Sequence, residues 1–170
     1  MHDKVEKLLS STSHETFTTI ARGALVDSTA TVTETPTFKE ITTSHNDQRT
    51  IGIVKVSGNA KVTSGTKPWS SVVKIIDPNI DEGDADRWVS VDVEQHVYEQ
   101  KLFGSDDEDF RPAKSYLVEI NSDDIRILWL EDMPDAIQPP WDFASYLNAA
   151  NHLGSFNGKH ANSIKQLPFS

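Results

Sequence analysis

Two runs of strand-forming residues, IGIVKVSG (51–58) and WSSVVKIID (69–77), are separated by only the ten residues NAKVTSGTKP. Parallel strands need a crossover of about a dozen residues or more, so a link this short predicts an antiparallel pair. In the first run Ile51, Ile53 with Val54, and Val56 mark the strand, and Ser57-Gly58-Asn59 reads as its end. The second run extends from Trp69 to Asp77. The remaining elements have to be arranged around this pair.

Upstream, Ser28 to Thr43 is rich in Thr and Val with acids between them, which is strand chemistry. Pro36 has no N–H to give a ladder, so pairing there is confined to an edge or a strand start. Downstream, AKSYLVEI (113–120) and DIRILWLE (124–131) read as two more strands joined by a polar turn. Between the third and fourth strands, RWVSVDVEQHVYEQKLF (87–103) reads best as a helix. Val93, Val97 and Leu102 recur at roughly helical spacing, although the early Val-Ser-Val-Asp-Val alternation also fits a strand. Short helical patterns occupy Lys4 to Leu9 and Phe17 to Ala24. A last helix starts at Asp142, a natural N-cap, and reaches about His152, with Gly158 as its stop. The expected class is α+β: a five-stranded antiparallel sheet with a helix inserted after the third strand, plus flanking helices.

Bulk properties exclude several functions. The chain has 170 residues, no cysteine and a net charge of −10. Cysteine-free sequence rules out disulfides and thiolate metal sites, and fits a reducing, cytoplasmic setting. The acidic balance argues against a nucleic-acid or anionic-membrane surface, since both partners are polyanions. The amino terminus lacks the apolar segment of a secretory signal, and no stretch approaches the ~18 apolar residues of a membrane span.

Three places carry possible chemistry. Lys74 lies among apolar and small neighbours in WSSVVKII, so its ammonium either reaches water or meets a carboxylate or phosphate. A strand lysine is most often simply solvated. Glu94 follows twenty residues later in the expected helix, where a glutamate is ordinarily a surface residue. The apolar run IRILWL (125–130) stops on Glu131 and Asp132, which read most simply as a strand end in water. DPNIDEG (77–83) places Asp77, Asn79 and Asp81 like the start of a calcium loop, but its glycine is one position late and Trp88 stands where a bidentate Glu belongs. SDDEDF (105–110) is a solvated acidic run, and the six histidines form no metal-binding spacing.

Taken together, RILWLEDMPDA with NAANHLGSFNG after it, PWSSVVKII, and VEQHVYEQKLF resemble, in this order over about 68–158, the bacterial aminoglycoside phosphotransferase family. The resemblance implies a protein-kinase-like amino-terminal lobe. In it Lys74 neutralises the phosphates of ATP, Glu94 holds Lys74, and Glu131, Asp132 and Met133 form the hinge whose backbone meets adenine. It divides the chain into an N-terminal helical extension (1–30), a nucleotide-binding lobe (31–133), and a hinge link with the first helix of a second lobe (134–170). ATP and Mg2+ are the implied cofactors, and a small-molecule hydroxyl is the acceptor in the intact enzyme.

The chain also departs from the family pattern. The turn expected over the phosphates, Ser44 to Thr50, has no glycine before Gly52, and Val93 stands where relatives tend to carry Arg. The His-Gly-Asp…Asn catalytic loop and the later metal-binding Asp have no counterpart, and His45-Asn46-Asp47 precedes the lysine strand. No catalytic or metal residue is therefore assigned, and the chain is expected to be inactive alone. The alternative is a noncatalytic interaction or regulatory domain that keeps the lobe's fold.

Overall fold

The computed structural model describes residues 3–41, 49–80, 91–99, 111–133 and 140–160, apart from the side chains of 91–93, 159 and 160. In chain order the elements are α1 (Asp3–Ser11), α2 (His14–Leu25), β1 (Thr31–Val32), β2 (Thr37–Glu40), β3 (Thr50–Val62), β4 (Gly65–Ile76), α3 (Val91–Glu99), β5 (Ser115–Ile120), β6 (Arg126–Glu131) and α4 (Phe143–His160). They fall into two compact units: α1, α2, α3 and the whole sheet in one, α4 in the other.

The sheet is antiparallel, in the order β1-β3-β4-β6-β5, with β2 also paired to β3. Thr31 and Val32 lie opposite Lys61 and Ala60, while Thr37 to Glu40 lie opposite Ser57 to Val54. Because β4 takes the other side of β3 along its length, β1 and β2 share one lane, broken at residues 33–36. Six strands thus fill five lanes. Pro36 sits immediately before β2 in this edge lane, where its missing N–H costs no ladder bond.

The β3–β4 hairpin is longer than its sequence suggests. The expected ten-residue loop is strand: pairing continues to Val62↔Gly65, leaving only Thr63 and Ser64 in the turn. Alternation explains it, since Ala60 and Val62 are both buried in the core and keep the inward period. Gly65 adopts a φ of +128°, a conformation open to glycine and strained for other residues. Ser57-Gly58-Asn59 is not a stop. Gly58 pairs with Trp69 inside the ladder, and the indole lies over it, the ring nitrogen 3.4 Å from where a Cβ would stand.

One face of the sheet is the core. Val54, Val56, Ala60 and Val62 of β3 and Trp69, Val73 and Ile75 of β4 are buried with Trp129 of β6 against Val5 and Leu9 of α1 and Phe17, Ile20 and Ala21 of α2. Each helix turns a stripe spaced three or four residues apart towards the strands. Both N-terminal helices therefore complete the sheet's own core. Ser13 caps α2, its hydroxyl accepting from the Thr16 N–H at 3.0 Å. Gly52 lets α1 approach closely, as a Cβ there would stand 2.8 Å from a Val5 methyl.

The opposite face is only partly covered. Ile53, Lys55, Ser57, Ser70, Val72 and Lys74 are half-buried, and beside them Ile76, Leu128 and Leu130 pack with Tyr98 of α3. In the second unit, Asp142 caps α4, accepting from the Ser145 N–H at 2.7 Å. This helix runs through Gly158 to His160 and does not stop at the glycine, which a helix interior tolerates at a cost of about 1 kcal/mol. Among the described residues no helix is long and apolar enough to cross a membrane.

Candidate functional site

Lys74 occupies the middle lane, with Ile53 beside it on β3 and Leu128 on β6. Its ammonium is 2.6 Å from Glu94 Oε2. These residues, twenty apart in the chain, are brought together because α3 returns over the half-covered face. Tyr98, one turn after Glu94, supplies the foothold: it packs on the apolar cluster of Ile76, Leu128 and Leu130. Burial, and then the charge of Glu94, raise the Tyr98 phenol above its ordinary value. Gln95, buried one position after Glu94, donates to Glu99 Oε1 at 2.8 Å. With 23% of the Lys74 side chain and 34% of the Glu94 side chain exposed, the pair is accessible from one side. An ammonium has three donors, so the bond to Glu94 leaves Lys74 able to hold an anion too.

The acids that end β6 fasten the strand on both faces. The Glu131 N–H donates to the Lys114 carbonyl at 2.7 Å, and Glu131 Oε2 accepts from the Lys114 N–H at 3.1 Å. Asp132 turns to the half-covered face, where Oδ2 accepts from the Ser70 hydroxyl at 2.7 Å and meets the Lys55 ammonium at 2.5 Å. Burial pushes the Asp132 carboxyl up, but the hydrogen bonds from Lys55 and Ser70 and the Lys55 charge outweigh it and leave the pKa below the usual carboxylate value. Met133 is 45% exposed.

Of the five residues singled out in the sequence, Lys74 and Glu94 are brought into contact. Glu131 stands at the far end of β6 opposite Ser71, and Asp132 follows it. Four residues of strand, about 13 Å, separate Ser70 from Lys74. On the same face Val72 is half-buried between the levels of Ser70 and Lys74, while Leu128 and Leu130 beside it on β6 are buried, with Tyr98 packed against them. The candidate phosphate turn, Ser44 to Thr50, lies outside the described residues except for its last two positions.

Sequence reasoning passed over Lys55 and Ser70. The signal for Lys55 was present, because Ile-Val-Lys-Val repeats the Val-Val-Lys-Ile setting that singled out Lys74. Ser70 carries no such mark. Of the calcium-like stretch, Asp81 to Gly83 lie outside the described residues; Asp77 Oδ2 binds the Lys4 ammonium at 2.6 Å, and Oδ1 accepts from the Asn79 N–H at 3.0 Å. Among the described residues no three His, Asp or Glu side chains converge to hold a metal. Compared with known protein families, curated proteins and solved structures, the chain finds no match in any of the three.

Proposed function

We propose that this chain is the ATP-binding lobe of a small-molecule kinase, a protein-kinase-like amino-terminal lobe of the aminoglycoside phosphotransferase type. The intact enzyme moves the γ-phosphoryl group of ATP to a hydroxyl. The observation that carries the reading is the 2.6 Å contact between Lys74 and Glu94, from a central strand to the helix that follows it. Kinase-like lobes need this pair, because an unanchored lysine has too much freedom to meet phosphate oxygens in one geometry. Counting β1 and β2 as one lane, Lys74 stands on the third lane in chain order, as the pattern requires.

On this reading the Lys74 ammonium contacts the α- and β-phosphates while Glu94 fixes its direction. Val72, half-buried on β4 between the levels of the two ion pairs, lies on the face where the purine would rest. The base edge meets backbone at the end of β6, where the Glu131 N–H is already committed to Lys114 and the hinge donors come from the residues after it. Magnesium bound with the nucleotide would neutralise phosphate charge, and among the described residues Lys74 supplies the protein's own positive charge at that end.

Thermal unfolding with Mg-ATP and with adenosine tests the proposal. Ligand at ten times its Kd stabilises by about 1.4 kcal/mol. Lys74→Ala should reduce the effect of ATP more than that of adenosine, which carries no phosphate. Equal losses would make Lys74 structural. No shift with either ligand at millimolar concentration would favour the noncatalytic interaction domain.

A further inference from the structure

We infer that Lys55 and Ser70 are positioning residues for the purine end of the site, acting through Asp132 to set the path of the backbone as it leaves β6. The inference rests on the nucleotide reading above. Its basis is a geometric oddity. Lys55 is on β3 and Asp132 follows β6, with β4 between them. Alternate lanes of a sheet are about 9.6 Å apart, so a 2.5 Å ion pair between them requires one partner to lean across the intervening strand. The long Lys55 stem can span that distance, and Ser70 on β4, next to Asp132 as the Ser71–Glu131 register continues, donates to the same oxygen.

The chain leaving β6 is therefore tied at Asp132 to two strands, by residues 62 and 77 positions away in sequence. Only 12% of the Asp132 side chain is exposed, so water does little to replace a lost partner. The fastening falls where the strand ends and the backbone needed for the base begins. It also distinguishes the two lysines of this face. Both have a carboxylate partner, but that of Lys74 is on a helix over the sheet and that of Lys55 is on the hinge segment.

Binding is measured with adenosine, ATP and inorganic tripolyphosphate on the unsubstituted chain and on Lys55→Met, Ser70→Ala, Asp132→Asn and Lys74→Ala. Methionine keeps the apolar stem of Lys55 and removes its charge. Hydrogen exchange of the unliganded proteins supplies a readout independent of ligand. Lys55→Met and Asp132→Asn should weaken adenosine and ATP by the same factor, about tenfold, and leave tripolyphosphate unchanged. Lys74→Ala should weaken ATP and tripolyphosphate and spare adenosine. Exchange in Lys55→Met should quicken at residues 130–132 and stay unaltered across β3 and β4.

A Lys55→Met protein that loses tripolyphosphate and keeps adenosine would make Lys55 a phosphate contact and overturn the inference. So would faster exchange across the whole sheet, the mark of a merely structural ion pair. Unchanged adenosine affinity in Lys55→Met, with normal binding to the unsubstituted chain, would remove this inference alone. Failure of the unsubstituted chain to bind adenosine or ATP would remove the nucleotide reading and, with it, the purine role of Lys55.

Discussion

Gly52→Ala tests whether the glycine nearest the expected phosphate turn serves a ligand or the core. An alanine Cβ would stand 2.8 and 3.1 Å from the two methyls of Val5 and 3.5 Å from its Cβ. Ordinary contact begins near 3.4 Å, so α1 would have to retreat by roughly 0.6 Å at its closest point. Val5 has no exposure and, being β-branched in a helix, has essentially one rotamer, so it cannot swing aside. A retreat of α1 also disturbs Leu9 and the Lys4–Asp77 pair. Overpacking of this kind costs about 1–3 kcal/mol, and two rigid methyls suggest the middle of that range. Val5→Ala alone removes two buried methyls and leaves a cavity, for a loss of about 2–3 kcal/mol. In the double variant the new Cβ enters the space those methyls leave, so the combined loss should be about that of Val5→Ala alone. Urea unfolding followed by the fluorescence of buried Trp69 and Trp129 measures all three proteins. Losses that add to within about 0.5 kcal/mol would refute the packing argument. A stable Gly52→Ala chain with weakened ATP binding would return the glycine to a phosphate role.

Val26 closes α2 in the left-handed conformation at φ +51° while 85% exposed, a costly backbone state for a β-branched residue with little packing to offset it. Val26→Gly should therefore raise stability by about 1 kcal/mol, after allowance for the greater freedom of glycine in the unfolded chain. An unchanged or lower unfolding midpoint would contradict this. Asp77 is one of the acid-sensitive points: burial raises its pKa, but hydrogen bonds from Lys4 and Asn79 and the Lys4 charge outweigh that and leave it below 3.8. A depressed folded-state pKa gives stability that is whole above the unfolded value and is lost as pH falls through the folded one. Asp77→Asn should thus be less stable than the unsubstituted chain at pH 7, with the gap closing below pH 3.8, as read from urea midpoints across that range. A gap constant down to pH 2.5 would exclude the ion pair as its source.

The parts of the fold that show in the sequence are those governed by local pattern. Alternation in β3 and the short link to β4 were sufficient for an antiparallel pair with Lys74 in its second strand. Ser57-Gly58-Asn59 misleads because turn residues are also what a strand uses where an indole crosses it, and only Trp69, eleven positions on, shows which applies. The helix reading of 87–103 is met over Val91–Glu99, the part that lies within the described residues. Contact between Lys74 and Glu94 was legible through a family's wording, not through spacing, since nothing local says that a helix will fold back over its own strand. The Lys55–Asp132 pair was not legible: it joins positions far apart in the chain, across a third strand, and such pairing leaves no periodic trace. The same holds for α1, whose Val5 has its reason for being buried in Gly52.

The interruption between β1 and β2 has a consequence for self-association. A continuous strand from residue 31 to 40 would offer an outward row of unpaired N–H and C=O groups, a template on which another extended chain can add. Here that row is cut at residues 33–36. Within the cut, Glu34 accepts a 2.7 Å bond from Asn59 on β3, and Pro36 has no N–H to offer. What remains of the edge on one side is two residues, and on the other a four-residue piece whose exposed positions include Lys39 and Glu40. A neighbouring copy arriving at this border would find too short a run of partners to zip onto and would have to strip water from charged side chains to use it. The irregularity of the first lane thus helps keep the sheet from growing beyond its own molecule.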